Sequence, residues 1–301
     1  MFSINIYNVS IGFFLLYLGV YVFKMPPGAN RAQKYFFWLC FALSLWMFGL
    51  GFRSLLPLEI RGIVLNWILI PVLFLPSLLD AVISSIKGDK LRFTRTRFFL
   101  NFLFLPYLLF VTSIGSAVKI QDHIQFSYLP TFNYHLIILY CGIYISISCV
   151  SIVRIMIRER GDKRVRAFLL LSGTLIALIV SVLCVYVFPL LGFFYASRTA
   201  FGLLPFSILW AVAILHYDAF EIRERILDGK ELPFLNRISS LLVLGLFRIL
   251  DPSEYSMRLL ISKANVVLGV VSKNHELAMR TDLETLERAE MVAGVYYDRL
   301  K

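Results

Sequence analysis

Asp80 is the one acidic residue set deep within an apolar stretch of this chain, in Leu78-Leu79-Asp80-Ala81. An ionised carboxylate is costly in hydrocarbon, so such a residue marks a functional path or faces a cation, and Arg97 and Arg154 lie at the matching end. The plainer alternative is a near-interface carboxylate solvated by head groups. Arg53 and Arg198 stand near the other ends of apolar stretches, where their stems can lie along hydrocarbon while the guanidinium groups reach water. With Asn66, Trp67, His135, Tyr140, Tyr195 and Trp46 they supply polar and aromatic groups for an outward-facing ligand pocket. An aromatic girdle at a membrane surface has the same composition, and both readings stay open.

Other chemistries lack their residues. There is no HExxH, no pair of intramembrane aspartates and no serine elbow, so no catalytic site is expected. Cys40, Cys141, Cys149 and Cys184 form no CxxC pair and have no histidine at zinc-ligand spacing; they read as small apolar helix residues, and neither metal nor other cofactor is expected. The net charge of +11 does not point to nucleic acid, because no groove-reading motif accompanies it.

These residues sit on long apolar elements. With 59% hydrophobic and 16% charged residues the chain is far more apolar than a soluble globular protein. Runs long enough to cross a bilayer, each roughly 20 residues, fall near 4–23, 35–55, 62–86, 98–118, 134–153, 167–189 and 198–217. The loops after the first, third and fifth runs hold most of the Lys and Arg, among them Lys87, Lys90, Arg92, Arg154, Arg158 and Arg164. Basic loops stay cytoplasmic, which predicts an N-terminus outside and a C-terminus inside. The first eight residues hold no basic side chain, while Lys24 follows the first run, so this run reads as a retained helix rather than a cleaved leader. Pro71, Pro76, Pro106 and Pro205 fall within spans and predict bends. Ser146, Ser148, Ser151, Thr174 and Ser181 suit close helix packing. No duplicated half with broken helices is evident, which weighs against a secondary transporter.

Beyond the last span the charge is nearly balanced. Residues 234–250 follow Pro233 and predict an amphipathic helix lying on the inner leaflet or docked beneath the bundle. Asp251-Pro252-Ser253-Glu254 reads as a helix start. In 275–301, Met279, Leu283, Leu286, Glu290, Ala293, Tyr297 and Leu300 recur at three- and four-residue spacings, a seam for a coiled-coil helix pairing two chains or for packing within one.

Three segments carry a family likeness. Asn30-Arg31 with Tyr35-Phe36-Phe37-Trp38, then Pro71-Val72-Leu73-Phe74-Leu75, and above all Ala213-Ile214-Leu215-His216-Tyr217-Asp218-Ala219-Phe220-Glu221-Ile222 resemble the N-terminal seven-transmembrane sensor module of bacterial histidine kinases and related signalling proteins. The resemblance implies an all-α integral membrane protein, a seven-transmembrane helix bundle with a short helical cytoplasmic tail, divided into a sensor-like domain at 1–222 and a tail at 223–301. It implies a sensory input module in the bacterial cytoplasmic membrane, passing a conformational signal along the last span, near Pro205, through His216, Tyr217 and Asp218. The expected partners are the lipid bilayer, a second copy of the chain and a cytoplasmic signalling protein. The family supplies no catalytic residues to this module.

The chain also departs from the family. The residues after Tyr217 are too few for a kinase, and no glycine-rich nucleotide box appears. Asn274-His275-Glu276-Leu277 is similar to the phosphoacceptor box, but Ala278-Met279 separate it from Arg280-Thr281 and Asp282 replaces the family's proline. His275 as a phosphoacceptor and a carrier or channel built on Asp80 are the competing readings.

Overall fold

The computed structural model describes residues 5–25, 30–87, 95–122, 126–215, 234–280 and 284–300. Seven helical segments long and apolar enough to cross a membrane lie at Ile6–Lys24, Arg31–Leu55, Leu58–Ile86, Thr96–Ser113, Phe132–Arg158, Asp162–Leu190 and Ala196–Leu215. Contacts divide the chain into two units: Met1–Arg158 with Arg166–Leu215, and Glu159–Val165 with His216–Lys301.

In the first unit, α1 (Ile6–Lys24) packs along α2 (Arg31–Phe52). Small residues permit the approach, as membrane helices require. A Cβ on Gly19 would stand 2.8 Å from the Cys40 Cβ, and one on Gly12 would enter the Phe48 ring. The start of α2 is fixed by a capping box in which the Asn30 side chain accepts from the Gln33 N–H at 3.0 Å while Gln33 accepts from the Asn30 N–H at 2.9 Å. Phe36, Leu39 and Met47 are then fully buried.

Proline shapes the next spans by removing backbone donors. The third span is two helices, α3 (Arg61–Trp67) and α4 (Leu69–Lys87), interrupted at Ile68. Pro71 cannot donate to the Trp67 carbonyl four residues back, and the break falls there. Span four runs as α5 (Arg95–Phe99), a π-turn (Leu100–Phe104) and α6 (Leu105–Ser113), with Pro106 just past the π-turn. Span six repeats the construction: α8 (Asp162–Val182), a π-turn (Leu183–Val187), then α9 (Phe188–Leu190) containing Pro189. Both spans finish on a Schellman motif with glycine left-handed. Gly115 has φ +81 with Ser116 N–H bonded to Val111, and Gly192 has φ +85 with Phe193 N–H bonded to Phe188.

Span four is shorter than its hydropathy predicted. It ends at Ser113, and Val118–Asp122 instead forms β1, paired antiparallel with β2 (Ser127–Pro130). Val118 and Ile120 turn inward while Lys119 and Gln121 turn out, the two-residue period of a strand. The rest of the first unit is α7 (Phe132–Arg158) and α10 (Ala200–Leu215). The α10 helix meets α8 through Gly202, whose added Cβ would lie 2.6 Å from Val180, and through fully buried Trp210, which donates to the Leu170 carbonyl at 3.0 Å. Pro205 lies inside α10. All four cysteines are free.

The second unit holds α11 (Phe234–Leu250), α12 (Pro252–Arg280) and α13 (Thr285–Leu300). Helix α11 is the expected amphipathic helix, with its apolar face outward: Ile238, Leu241, Leu242 and Ile249 are exposed, while Ser239, Ser240, Val243 and Phe247 are buried. Helix α12 bares an apolar stripe as well, in Met257, Leu260, Ile261, Val267, Leu268 and Val271. The helix expected over 275–301 is two: residues to Arg280 belong to α12, and α13 packs back against it. Of the expected seam, Met279 and Leu286 are exposed; Leu283 and the side chains of Tyr297 and Leu300 lie outside the described residues.

Gly202→Leu is expected to overpack the α8–α10 contact and cost about 1–3 kcal/mol. Denaturant titration of the purified protein in detergent measures it, and an unchanged midpoint would show that the contact yields freely.

Candidate functional site

Pro189 has no N–H to offer the Val185 carbonyl four residues before it. Two tyrosine hydroxyls take the vacant place. Tyr134, at the start of α7, and Tyr128, on β2, both donate to Val185 O, the latter at 2.9 Å, with their own oxygens 3.3 Å apart. A buried carbonyl without a donor is expensive in hydrocarbon, so this pair ties the hairpin and α7 to span six. Burial raises the pKa of the Tyr128 hydroxyl above its ordinary value, which keeps it a donor.

Tyr134 lines two adjoining cavities, and Tyr128 the smaller of them. The larger, about 180 Å³, lies among α2, α4, α7, α8 and α10 and is lined almost wholly by carbon. Thr174 faces it, but its hydroxyl donates to the Leu170 carbonyl at 2.7 Å. The smaller, about 30 Å³, shares Trp46, Leu69, Tyr134 and Val185 with the larger as walls and adds Arg53 and Tyr128. The Arg53 guanidinium lies over the Phe126 ring, 4.4 Å from its centre, and Arg61 lies over the same ring at 5.0 Å. Arg61 also donates to the Leu56 and Ser54 carbonyls.

The other residues named from sequence scatter around this centre. Asn66 is buried as a clamp: it accepts from Ala117 and Val118 N–H, each at 2.9 Å, and donates to the Gly62 and Val118 carbonyls. Its bonding capacity is filled by the start of β1. Trp67, half exposed, donates to the Ser113 carbonyl. His135 shares a 3.0 Å hydrogen bond with the Tyr186 hydroxyl. Tyr195 stacks under Arg198 at 4.1 Å, and neither lines either cavity. Buried Tyr140 stacks on Phe104, its hydroxyl without a hydrogen-bond partner among the described residues. Trp46 walls both cavities, while Leu203 and Phe206, flanking Pro205, line the larger. His216, Tyr217 and Asp218 lie outside the described residues.

Asp80 lies apart, toward the end of the bundle bearing the basic loops. It is buried and pairs with Arg97 at 2.6 Å, accepting also from Ser148 at 3.4 Å. Among the described residues Arg154 makes no hydrogen bond or ion pair with it; of the two arginines, Arg97 is the partner. At the same end Arg166 donates to the Ala213 carbonyl at 2.9 Å, joining the start of α8 to the last turn of α10.

Within the second unit the short α7–α8 connection is held by the tail. Asp251 caps α12 and accepts the Gly161 N–H at 2.9 Å, with Arg164 at 3.6 Å. Arg164 also donates to the Leu250 carbonyl, and Arg258 pairs with Asp162 at 2.7 Å. Gly161 takes φ +62 with Phe247 and Glu254 against it, a conformation and a space that exclude a side chain. The Gly161 N–H, first, and then capping bonds and Arg164 hold the Asp251 carboxyl below its usual pKa. On α12, His275 is exposed, and its neighbour Glu276 is engaged by Lys273 and Arg280, each at 3.0 Å, rather than by the imidazole.

Sequence reasoning missed Tyr128, Tyr134, Arg61 and the Gly161–Asp251 contact. Pro189 was the available signal, since any proline in an apolar helix announces an orphaned carbonyl that some hydroxyl must meet.

A bundle of seven apolar helical segments, with backbone breaks closed from within, defines a multi-pass membrane protein. Residues 9–223 match the family described as the N-terminal 7TM region of histidine kinase, and the chain belongs to that family. No curated protein and no solved structure matches it.

Tyr128→Phe or Tyr134→Phe alone should cost little, because one hydroxyl still serves Val185. The double variant should lose about 1–3 kcal/mol, and adding Pro189→Ala, which returns the N–H, should recover most of it. Thermal unfolding in detergent tests this; a double variant no weaker than the singles would refute the account.

Proposed function

We propose that the bundle is a sensory input module whose signal leaves through the second unit, with the N-terminus outside and the tail in the cytoplasm. Family membership supports the sensory reading, and the placement of basic side chains on alternate loops supports the orientation. The observation that carries the transmission step is the Asp251 clamp on the α7–α8 connection. Chain passes between the units after Arg158, before Arg166 and after Leu215, so α7 and α8 lead directly into the unit that holds the clamp, and the chain beyond α10 belongs to it. A shift in any of these helices then strains the clamp and the tail helices with it. The bared face of α11 beds in the inner leaflet. The module has no catalytic output of its own in this reading and reports to a cytoplasmic signalling protein.

The stripe on α12 pairs with its counterpart on a second copy. Met257, Ala264 and Val271 fall on one heptad position and Leu260 and Val267 on another, the a and d pattern of a coiled coil. Two heptads are marginal alone, but anchorage of both chains in one membrane raises their effective concentration. A carrier built on Asp80 has less support, because Arg97 and Ser148 already occupy that carboxylate.

Val267→Cys in native membranes should form a disulfide between copies, and Ser262→Cys, on the opposite face, should not. Absence of any crosslink at Leu260, Val267 and Val271 would sink the pairing.

Asp251→Ala should loosen the clamp by about 1.5–3 kcal/mol, the range for hydrogen bonds to a charged group. Amide hydrogen exchange should then quicken together at 159–165 and around 251–258. Because its folded-state pKa is depressed, Asp251 stabilises the clamp above the ordinary carboxylate range and loses that contribution as pH falls through the depressed value. The protection of the Gly161 amide, corrected for the pH dependence of intrinsic exchange, should therefore hold steady from neutral to mildly acidic pH and fall only in stronger acid. Exchange that changes only on one side of the contact, or not at all, would show that the loop and tail are not coupled.

A further inference from the structure

We propose that the two adjoining cavities form one site for a single-chain amphiphile, its alkyl chain in the larger space and its anionic head against Arg53 in the smaller. The inference deepens the sensory reading and rests on it for biological meaning, though not for binding.

Three observations carry it. The first is volume and lining. An aliphatic-lined cavity of about 150 Å³ stays dry and takes a benzene-sized guest. The larger cavity, at about 180 Å³ and lined almost wholly by carbon, suits one short alkyl chain and is too small for a two-chain lipid. Of its hydroxyl-bearing neighbours, Tyr134 donates to the Val185 carbonyl and Thr174 to the Leu170 carbonyl, which leaves Ser181 among carbon. No polar head could be matched there.

The second is the charge at the adjoining wall. Arg53 makes no hydrogen bond or ion pair among the described residues; its contact is the face of Phe126. Arg61 shares that ring while giving its N–H groups to backbone carbonyls. The Arg53 guanidinium, over that ring, has no anionic side chain bonded to it among the described residues. A guanidinium with free donors matches a carboxylate or phosphate oxygen pair.

The third is continuity. Trp46, Leu69, Tyr134 and Val185 wall both spaces, so a chain and head of one molecule can occupy them together across that shared edge. The smaller space, about 30 Å³, admits a head of few atoms. That favours a carboxylate over a phosphodiester.

Such an occupant would bear on the tyrosine pair itself, because Tyr134 and Val185 line both spaces. Occupancy therefore acts on the hydrogen bonds that join α7 and the hairpin to span six.

The test uses the full chain in nanodiscs of phosphatidylcholine, with radiolabelled decanoate as the probe at neutral pH. Saturable binding of decanoate, with decanol competing at least about tenfold more weakly (about 1.4 kcal/mol), is expected. Arg53→Gln should weaken decanoate by a similar factor and leave decanol unchanged. Gly142→Leu should abolish both, since Gly142 lines the larger cavity and a Cβ there meets nothing within 4 Å, so the variant fills space without clash. Equal binding of decanoate and decanol, or indifference to both variants, would overturn the proposal. So would displacement of decanoate by phosphatidylglycerol built into the nanodisc, which would make the occupant a two-chain bilayer lipid. Because binding is read without any output, a negative result here leaves the crosslinking test of the signalling reading untouched.

Discussion

A backbone carbonyl in hydrocarbon has no water to turn to. That constraint organises this bundle more than any single side-chain contact. Four of its spans contain prolines that withdraw donors, and in three of them the chain answers locally. It breaks the third span at Ile68, opens π-turns ahead of Pro106 and Pro189, and sends two tyrosines from elsewhere to the Val185 carbonyl. The tyrosine solution has consequences beyond satisfaction of one oxygen. It places the hairpin and the first turn of α7 against span six and so sets a wall common to the two cavities.

Charge follows the same economy. Asp80 is buried against a cation and a hydroxyl, the partners a carboxylate in hydrocarbon needs. Asp251, outside the spans, is satisfied chiefly by backbone N–H groups: the cap of its own helix and Gly161. Arg53 breaks the pattern with an aromatic face and no anion. A guanidinium left in that condition beside an apolar cavity is the arrangement expected of a residue whose counter-ion arrives from outside.

Much of this was legible in the sequence because length and hydropathy act locally. The seven spans, the amphipathic helix over 234–250 and the Asp251-Pro252 helix start each depend on neighbours a few residues apart, and they stand where the pattern put them. Arg97 was one of two cations offered for Asp80. What stayed hidden depends on distance along the chain. The alternation in Val118-Lys119-Ile120 is a strand signal, but it abuts an apolar run and was absorbed into span four. Asn66 looked like a pocket residue because nothing nearby announces that it clamps β1. The regular spacing after Met279 suggested a seam, and a further bared apolar stripe lies earlier, on α12, between flanking charges such as Arg258, Lys263 and Lys273.

The three crossings of chain between the bundle and the second unit have a mechanical corollary. Motion shared by α7, α8 and α10, such as a common tilt or a common rise with bilayer thickness, carries all three tethers together and leaves the distances among them unchanged. Only displacement of one helix against another alters those distances. In the proposed signalling reading, a clamp built on such tethers would work as a differential gauge, rejecting what the membrane does to the whole bundle and responding to what happens between its helices.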